Sequence, residues 1–206
     1  MNGDTQVQAY AAADFSSGDQ ATIEAIQRLL SRTSPLPPDP LVVDLGCGPG
    51  NITLRLAGLF PKARIIGIDG AESMLAVARE RAQQQQMEIS FLCQTLQEVL
   101  RGALLGQADL IVSNSLLHHL HQPDLLWMVT RDLAAPGCRT LHRDLRRPAS
   151  DAEIQQLLLK HLPSAPEVLQ QDFAASLAAA FEPQEVTAEL HRLDLNQLTV
   201  SSEDDR

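Results

Sequence analysis

The chain is short of cysteine, of positive charge and of long apolar runs, and each shortage removes a class of protein. Its three cysteines, Cys47, Cys93 and Cys138, are odd in number and far apart, with no C-x-x-C pair. That pattern excludes a familiar zinc knuckle and argues against a disulfide framework, so a reducing, cytoplasmic setting is expected. Sixteen Lys and Arg stand against 26 Asp and Glu, giving a net charge of −10. Such a balance disfavours broad attraction to nucleic acid or to an anionic membrane, and leaves a small molecule or a protein as the expected partner. No apolar run reaches the length of a membrane span, and the opening MNGDTQVQAYAAADF has neither a positive start nor an apolar core. A soluble, unexported protein is expected. The histidines lack carboxylates or cysteines at ligand spacing, as in H-E-x-x-H, so no metal site is expected.

With 206 residues and 44% hydrophobic content, the chain suits one well-buried α/β domain. Three regions are expected within it: an N-terminal arm and helix over 1–34, a core over 35–148, and a helical lid with C-terminal elements over 149–206. The core opens on Val42-Val43-Asp44-Leu45-Gly46-Cys47-Gly48-Pro49-Gly50-Asn51. This is a short β-rich run, a turn through three glycines, and the start of the amphipathic segment Ile52–Ala57. It reads as strand, tight turn, helix. Residues without a Cβ let the chain bend sharply and let a ligand approach backbone N–H groups at the helix N-terminus. A dinucleotide fingerprint needs G-x-G-x-x-G. Here the third glycine comes one residue early, and Asn51 takes its place.

Together with the acidic Asp44, the run Asp44–Gly50 resembles the first motif of the class I S-adenosylmethionine-dependent methyltransferases, of the small-molecule type. The resemblance extends from about Val42 to Pro148. It implies an α/β fold, a Rossmann-like, doubly wound, mostly parallel sheet with helices on both faces. It also implies S-adenosylmethionine as cofactor, S-adenosylhomocysteine as product, and a small-molecule methyl acceptor. The cofactor cradle would comprise Asp44, Gly46, Cys47, Gly48 and Gly50. Asp69-Gly70 ends the next apolar run, Ala63–Ile68, nineteen residues after Gly50, about where an acidic residue can bind ribose hydroxyls. A turn aspartate or helix cap is the plainer alternative. Met74 in the following helix would flank the adenine or fill the core.

After a third strand over Glu88–Cys93, the family's usual glycine and acidic residue are replaced by Cys93-Gln94-Thr95-Leu96. Gln94 could still accept from an adenine amino group, or be a surface residue. Ala108–Asn114 supplies a fourth strand whose end, Ser113-Asn114, would lie beside the methyl group. Ser115-Leu116-Leu117-His118-His119-Leu120 follows it. One histidine reads as helix packing and another as a substrate contact. Should the acceptor lose a proton, His118, His119 or Asp144 is the expected base.

Alanine-rich residues 1–17 form an arm carrying Tyr10 and Phe15, either closing over the cofactor or anchoring the arm. A helix over Gln20–Arg32 follows, with Ser17 or Asp19 as N-cap. The helix over Gln122–Leu133 turns Leu125, Leu126, Val129 and Leu133 inward. Ala135-Pro136-Gly137 reads as a turn before strand five, Arg139–Leu145. Strand alternation there sets Arg143 and Leu145 against Asp144 and Arg146. Arg143, Arg146 and Arg147 would recognise an anionic group, or be solvated with Asp144 paired to one of them. Ser150 and Glu153 form a capping box for a helix to about Leu162. Further helices span Glu167–Phe181 and Pro183–Leu193, and Leu198-Thr199-Val200 is the last strand candidate. The sheet should therefore lack a complete seventh strand, leaving an open edge through which two copies could pair as a homodimer. Two other classes share the cradle: a non-catalytic S-adenosylmethionine-binding module, and a dinucleotide-dependent oxidoreductase, which the early third glycine disfavours.

Overall fold

Strand β1 (Leu41–Leu45) is buried at every residue and is the centre from which the sheet grows. The computed structural model describes residues 16–204. In chain order the elements are α1 (Ser16–Ser31), β1, α2 (Asn51–Leu59), β2 (Arg64–Asp69), α3 (Glu72–Gln84), β3 (Ser90–Cys93) and α4 (Leu96–Val99). Then come β4 (Ala108–Asn114), a 3-10 turn over Leu117–His119, α5 (Asp124–Leu133), β5 (Ala134–Arg143), α6 (Asp151–His161), α7 (Glu167–Ala179) and α8 (Pro183–Arg192). Two compact units arise: residues up to Asn114 with Met128–Arg143, and Ser115–Trp127 with the chain from Asp144 onward.

In the first unit the five strands run parallel in the order β3-β2-β1-β4-β5. Because parallel crossovers are right-handed, the helices linking β1 to β2 and β2 to β3 cover one face, and those leading to β4 and β5 cover the other. The order reverses at β1, so the crevice for a ligand lies at the C-terminal ends of β1 and β4. On one face Val42, Ile65, Leu110 and Val112 pack with Ile23 and Ile26 of α1 and Ile52 and Leu56 of α2. Ile26 and Leu56 are fully buried, each contributing about 1.5–3 kcal/mol by burial. At the opposite end, Asp109 accepts from the Leu41 N–H at 2.8 Å and fixes the entry into β1.

In the second unit α6 and α7 pack together, and α7 also contacts the 3-10 turn. Trp127 is buried and donates its indole N–H to Glu189 of α8 at 2.9 Å. Arg192 grips Asp124 through two hydrogen bonds of 2.5 and 2.7 Å.

Several sequence expectations are corrected by these elements. Helix α1 begins at Ser16, so Ser17 and Asp19 lie inside its first turn and do not cap it; Asp19 is buried and its carboxylate lies 3.9 Å from the Arg55 guanidinium. Strand β5 starts at Ala134 and ends at Arg143. The expected Ala135-Pro136-Gly137 turn is instead a bulge inside it: register passes from Ala108↔Ala134 to Leu110↔Arg139, with Gly137 at φ 81°. Asp144, Leu145 and Arg146 therefore fall beyond the strand, and alternation does not orient them. In α5 it is Trp127, not Leu125, that joins Leu126, Val129 and Leu133 in burial. Ser150 does cap α6, but Glu153 reaches back to the Ala149 N–H, not to that of Ser150, so the box is only half formed. Leu198–Val200 forms no strand, and the sheet stays open. Beyond β5, the extended chain makes a single parallel bridge, Arg146↔Phe181. Thr95 and Glu98 make a full capping box at α4 that the sequence reading passed over.

Packing within β2 is tight enough to test. A Cβ at Gly67 would meet the ring of Phe91, its register partner, at 2.9 Å and Cys47 Sγ at 3.0 Å. Gly67→Ala should destabilise the protein by about 1–3 kcal/mol in urea unfolding, and adding Phe91→Leu should recover part of the loss. An unchanged midpoint in the single variant would mean that Phe91 and Cys47 give way freely.

Candidate active site

The glycine turn between β1 and α2 is built from left-handed backbone. Gly46, Gly48 and Gly50 take φ values of 66°, 52° and 84°, a region that side chains with a Cβ rarely adopt. The surroundings of Gly48 and Gly50 differ. A Cβ at Gly48 would meet no protein atom within 4 Å and would project into open space. One at Gly50 would come within 3.1 Å of the Ala78 Cβ of α3. Between them, Cys47 is buried, its N–H donates to the Ile68 carbonyl at 3.0 Å, and burial pushes its thiol far above the usual range. A thiol held neutral in this way is a packing group, not a nucleophile.

Side chains hold this turn from two sides. Asp69, at the end of β2, accepts from the Gly48 N–H at 2.9 Å and from the Ala71 N–H at 2.8 Å. Each of its oxygens keeps a second lone pair for a ligand donor. Arg81 of α3 donates to the Pro49 carbonyl at 3.1 Å and to Asn51 Oδ1 at 2.7 Å. Gly70 is exposed, and Met74 is 4% exposed within α3. The Gln94 N–H donates to the Asp69 carbonyl at 3.0 Å, placing Gln94 beside the acidic residue. Thr95 gives its hydroxyl to the capping box, and Leu96 is buried.

Alternation brings a second set together. Val42, Val112 and Leu141 pack toward α1 and α2, so Asp44, Asn114 and Arg143, two residues further on each strand, share that face. Asp44 is 1% exposed and accepts from Thr53 of α2 at 2.6 Å. Asn114 Oδ1 lies 2.8 Å from the buried Thr22 hydroxyl of α1. On the opposite face Ser113 Oγ lies 2.8 Å from His142 Nδ1, and Thr130 Oγ1 is 3.1 Å from His142 Nε2. Thr22, Arg81 and His142 went unnoticed in the sequence because their partners lie far along the chain, and Thr53 because the turn folds it back on Asp44.

In the second unit, His118 is buried and its Nδ1 lies 2.5 Å from Asp144 Oδ1. Asp144 also accepts from the Leu117 N–H at 2.6 Å and the Leu145 N–H at 2.8 Å. The expected Asp144–arginine pair thus gives way to a His–Asp pair joining the segments that leave β4 and β5. The His119 ring lies against that of His118, with centroids 4.0 Å apart and planes tilted by 44°. Surrounding atoms and then His118 push its pKa down, to about 4, although Asp144 and Asp172 oppose the drop. Its ring keeps an open side to water, and it is neutral at pH 7. Arg147 is engaged by Glu185 at 2.7 Å and by Glu182 at 3.6 Å. Arg146 bridges to Phe181 through its backbone. Among the described residues, no cluster of three His, Cys, Asp or Glu could hold a metal ion, and no helix is long and apolar enough to cross a membrane. Tyr10 and Phe15 lie outside the described residues.

A parallel sheet of this order, a glycine turn after its central strand and an acidic residue closing the next strand fit the class I methyltransferase type, although dinucleotide-binding folds share all three. Comparison with known proteins agrees: residues 42–137 match the model of the methyltransferase domain. Over 114 residues it is 45% identical to a trans-aconitate 2-methyltransferase of Variovorax paradoxus, a match covering 54% of this chain and 40% of the relative. Over 128 residues it is 34% identical to a malonyl-[acyl-carrier protein] O-methyltransferase of Bacillus anthracis, covering 55% of this chain and 45% of the relative. The aligned region thus spans less than half the length of either relative. Among solved structures, the plantazolicin methyltransferase BamL, in complex with a triazolic desmethylPZN analog and S-adenosylhomocysteine, superposes with a TM-score of 0.67 at 19% identity. That match covers 88% of this chain and 64% of BamL, and it shows the shared fold.

The buried Asp44 gives the site a measurable pH signature. Burial raises its carboxyl from 3.8 to about 7; the Thr53 hydrogen bond opposes the rise, while Asp69 and Asp19 add to it. Between those values the folded state holds a proton that the unfolded state has released, so this group's contribution to stability falls as pH rises through the window and is flat above it. Urea unfolding of wild type and Asp44→Asn should show their stability difference moving against wild type by about 2 kcal/mol from pH 5 to pH 7. A difference independent of pH would show that Asp44 is ionised throughout.

Proposed function

We propose that the chain binds S-adenosylmethionine in the glycine turn and transfers its methyl group to a small-molecule carboxylate. The observation that carries this reading is the Gly46–Gly50 turn fastened to Asp69. It leaves open space at Gly48, with the Asp69 carboxylate bonded to the same residue. When bound, S-adenosylmethionine supplies an electrophilic methyl on a sulfonium sulfur and leaves as S-adenosylhomocysteine. The chain's own contribution is positioning, which accounts for roughly 7–11 kcal/mol of barrier lowering in favourable cases. Asp69 would accept from the ribose hydroxyls, the N-terminus of α2 would receive polar groups of the ligand, and Ser113-Asn114 would form the wall at the end of β4.

For the acceptor, two observations favour an anion. The two relatives are named for trans-aconitate and malonyl-acyl-carrier protein, both of which carry carboxylates. In this chain, Arg143 ends β5 in register with Asn114. A carboxylate needs no base, being an anion already. For a hydroxyl acceptor, His118 is the group prepared to take the proton: Asp144 orders its Nδ1 as donor and leaves Nε2 as acceptor. The three free thiols support a reducing, cytoplasmic setting, and the open sheet edge is where a second copy would pair.

Calorimetry with S-adenosylhomocysteine tests the cofactor half of this reading. Asp69→Ala should cost roughly 1.5–3 kcal/mol of binding, and Gly48→Val should abolish it. Wild-type affinity in both variants would sink the assignment. For the acceptor half, a panel of dicarboxylates and their monoamide analogues is assayed for S-adenosylhomocysteine release. Arg143→Ala should raise KM for the carboxylates about tenfold or more while changing it little for the amides. Equal effects on both would leave Arg143 a structural residue.

A further inference from the structure

We infer that Arg81 is a positioning residue for the cofactor turn: it fixes the turn's shape from behind and thereby sets the affinity for the ligand that the turn receives. The inference rests on the cofactor reading above and adds a residue outside the sequence motif. Arg81 lies on α3, three positions after Ala78, and so on the same helical face. Ala78 is the residue that closes on Gly50, where a Cβ would sit 3.1 Å from its own. One turn along, the Arg81 guanidinium reaches the Pro49 carbonyl and Asn51 Oδ1 with its Nη1. The helix thus meets the turn twice, by close packing at Gly50 and by charge-assisted hydrogen bonds on either side of it.

Asn51 occupies the position where a dinucleotide fingerprint has its third glycine. Here that residue is the first of α2 and a partner of Arg81. Holding Pro49 and Asn51 fixes both flanks of Gly50, whose N–H donates to the Cys47 carbonyl at 3.0 Å. On the other side, Asp69 holds Gly48. A turn held by one carboxylate alone could relax among the many conformations open to glycine, and a ligand would have to reorder it on binding. With Arg81 in place, that ordering is complete before the ligand arrives.

The test compares wild type with Arg81→Met, which keeps the aliphatic stem, with Arg81→Lys, and with Asn51→Ala, which removes one acceptor and leaves the helix intact. S-adenosylhomocysteine dissociation constants by calorimetry, thermal unfolding, and amide exchange at Gly48 and Gly50 in the ligand-free protein are measured for each. Arg81→Met should weaken binding about tenfold or more and speed exchange at both glycines, with Arg81→Lys intermediate. Asn51→Ala should move both readouts in the same direction, and the double variant should be no worse than Arg81→Met alone. A lowered unfolding temperature with unchanged affinity and exchange would make Arg81 a scaffold residue and overturn the inference. Wild type failing to bind S-adenosylhomocysteine would overturn the cofactor reading itself, and Arg81 would then have no such ligand to position.

Discussion

Left-handed backbone at three positions within five residues is the constraint on which the first unit depends. Only glycine holds that geometry without strain, and glycine alone holds nothing, since it has the largest conformational freedom to lose. The surrounding elements supply what it lacks. β1 enters the turn buried at every residue, α2 leaves it with Gly50 as its N-cap in the left-handed region, and β2 and α3 each send one side chain back to it. The positions of β2 and α3 therefore matter for their ends as much as for their packing. The sheet order that puts β2 beside β1 is also what brings Asp69 to the Gly48 N–H.

Much of this was legible in the sequence because its causes are local. Apolar runs marked β1, β2 and β4; the glycines marked the turn; the distance from Gly50 marked Asp69. The parts that were not legible depend on contacts across the chain. Pro136 and Gly137 carry every local mark of a turn, and only the register of β5 against β4 makes them a bulge. Nothing near Arg81 distinguishes it from the exposed Arg79 two residues earlier, which pairs with Glu72 within its own helix. Thr95-Leu96-Gln97-Glu98 is different: it spells a capping box, a signal wholly local to four residues.

The second unit shows how an acidic chain uses its few cations. Arg147 meets Glu182 and Glu185, and Arg192 meets Asp124, so two cationic side chains of this unit are paired within it. These exposed pairs contribute little stability each. Their effect is to orient α8 against the segments that precede α6 and begin α5. Asp144 does a comparable task, gathering the Leu117 and Leu145 N–H groups and the His118 ring around one carboxylate.

The strand order has a kinetic consequence. β1 lies between β2, which follows it closely, and β4, which arrives only after two more helices and a third strand. Pairing Val42 with Leu110 closes a long loop, and its entropy is lost before the contact repays it. The chain can therefore gather β1, β2 and β3 early, with the glycine turn bent between them. The wall at Ser113 and Asn114 comes with the slower docking of β4. Until then β1, buried at every residue in the finished fold, has one bare edge. A protein emerging residue by residue from the ribosome spends that interval with its ligand cradle formed and its central strand half paired, which is the stage at which a chaperone, or a second nascent copy, would find something to hold.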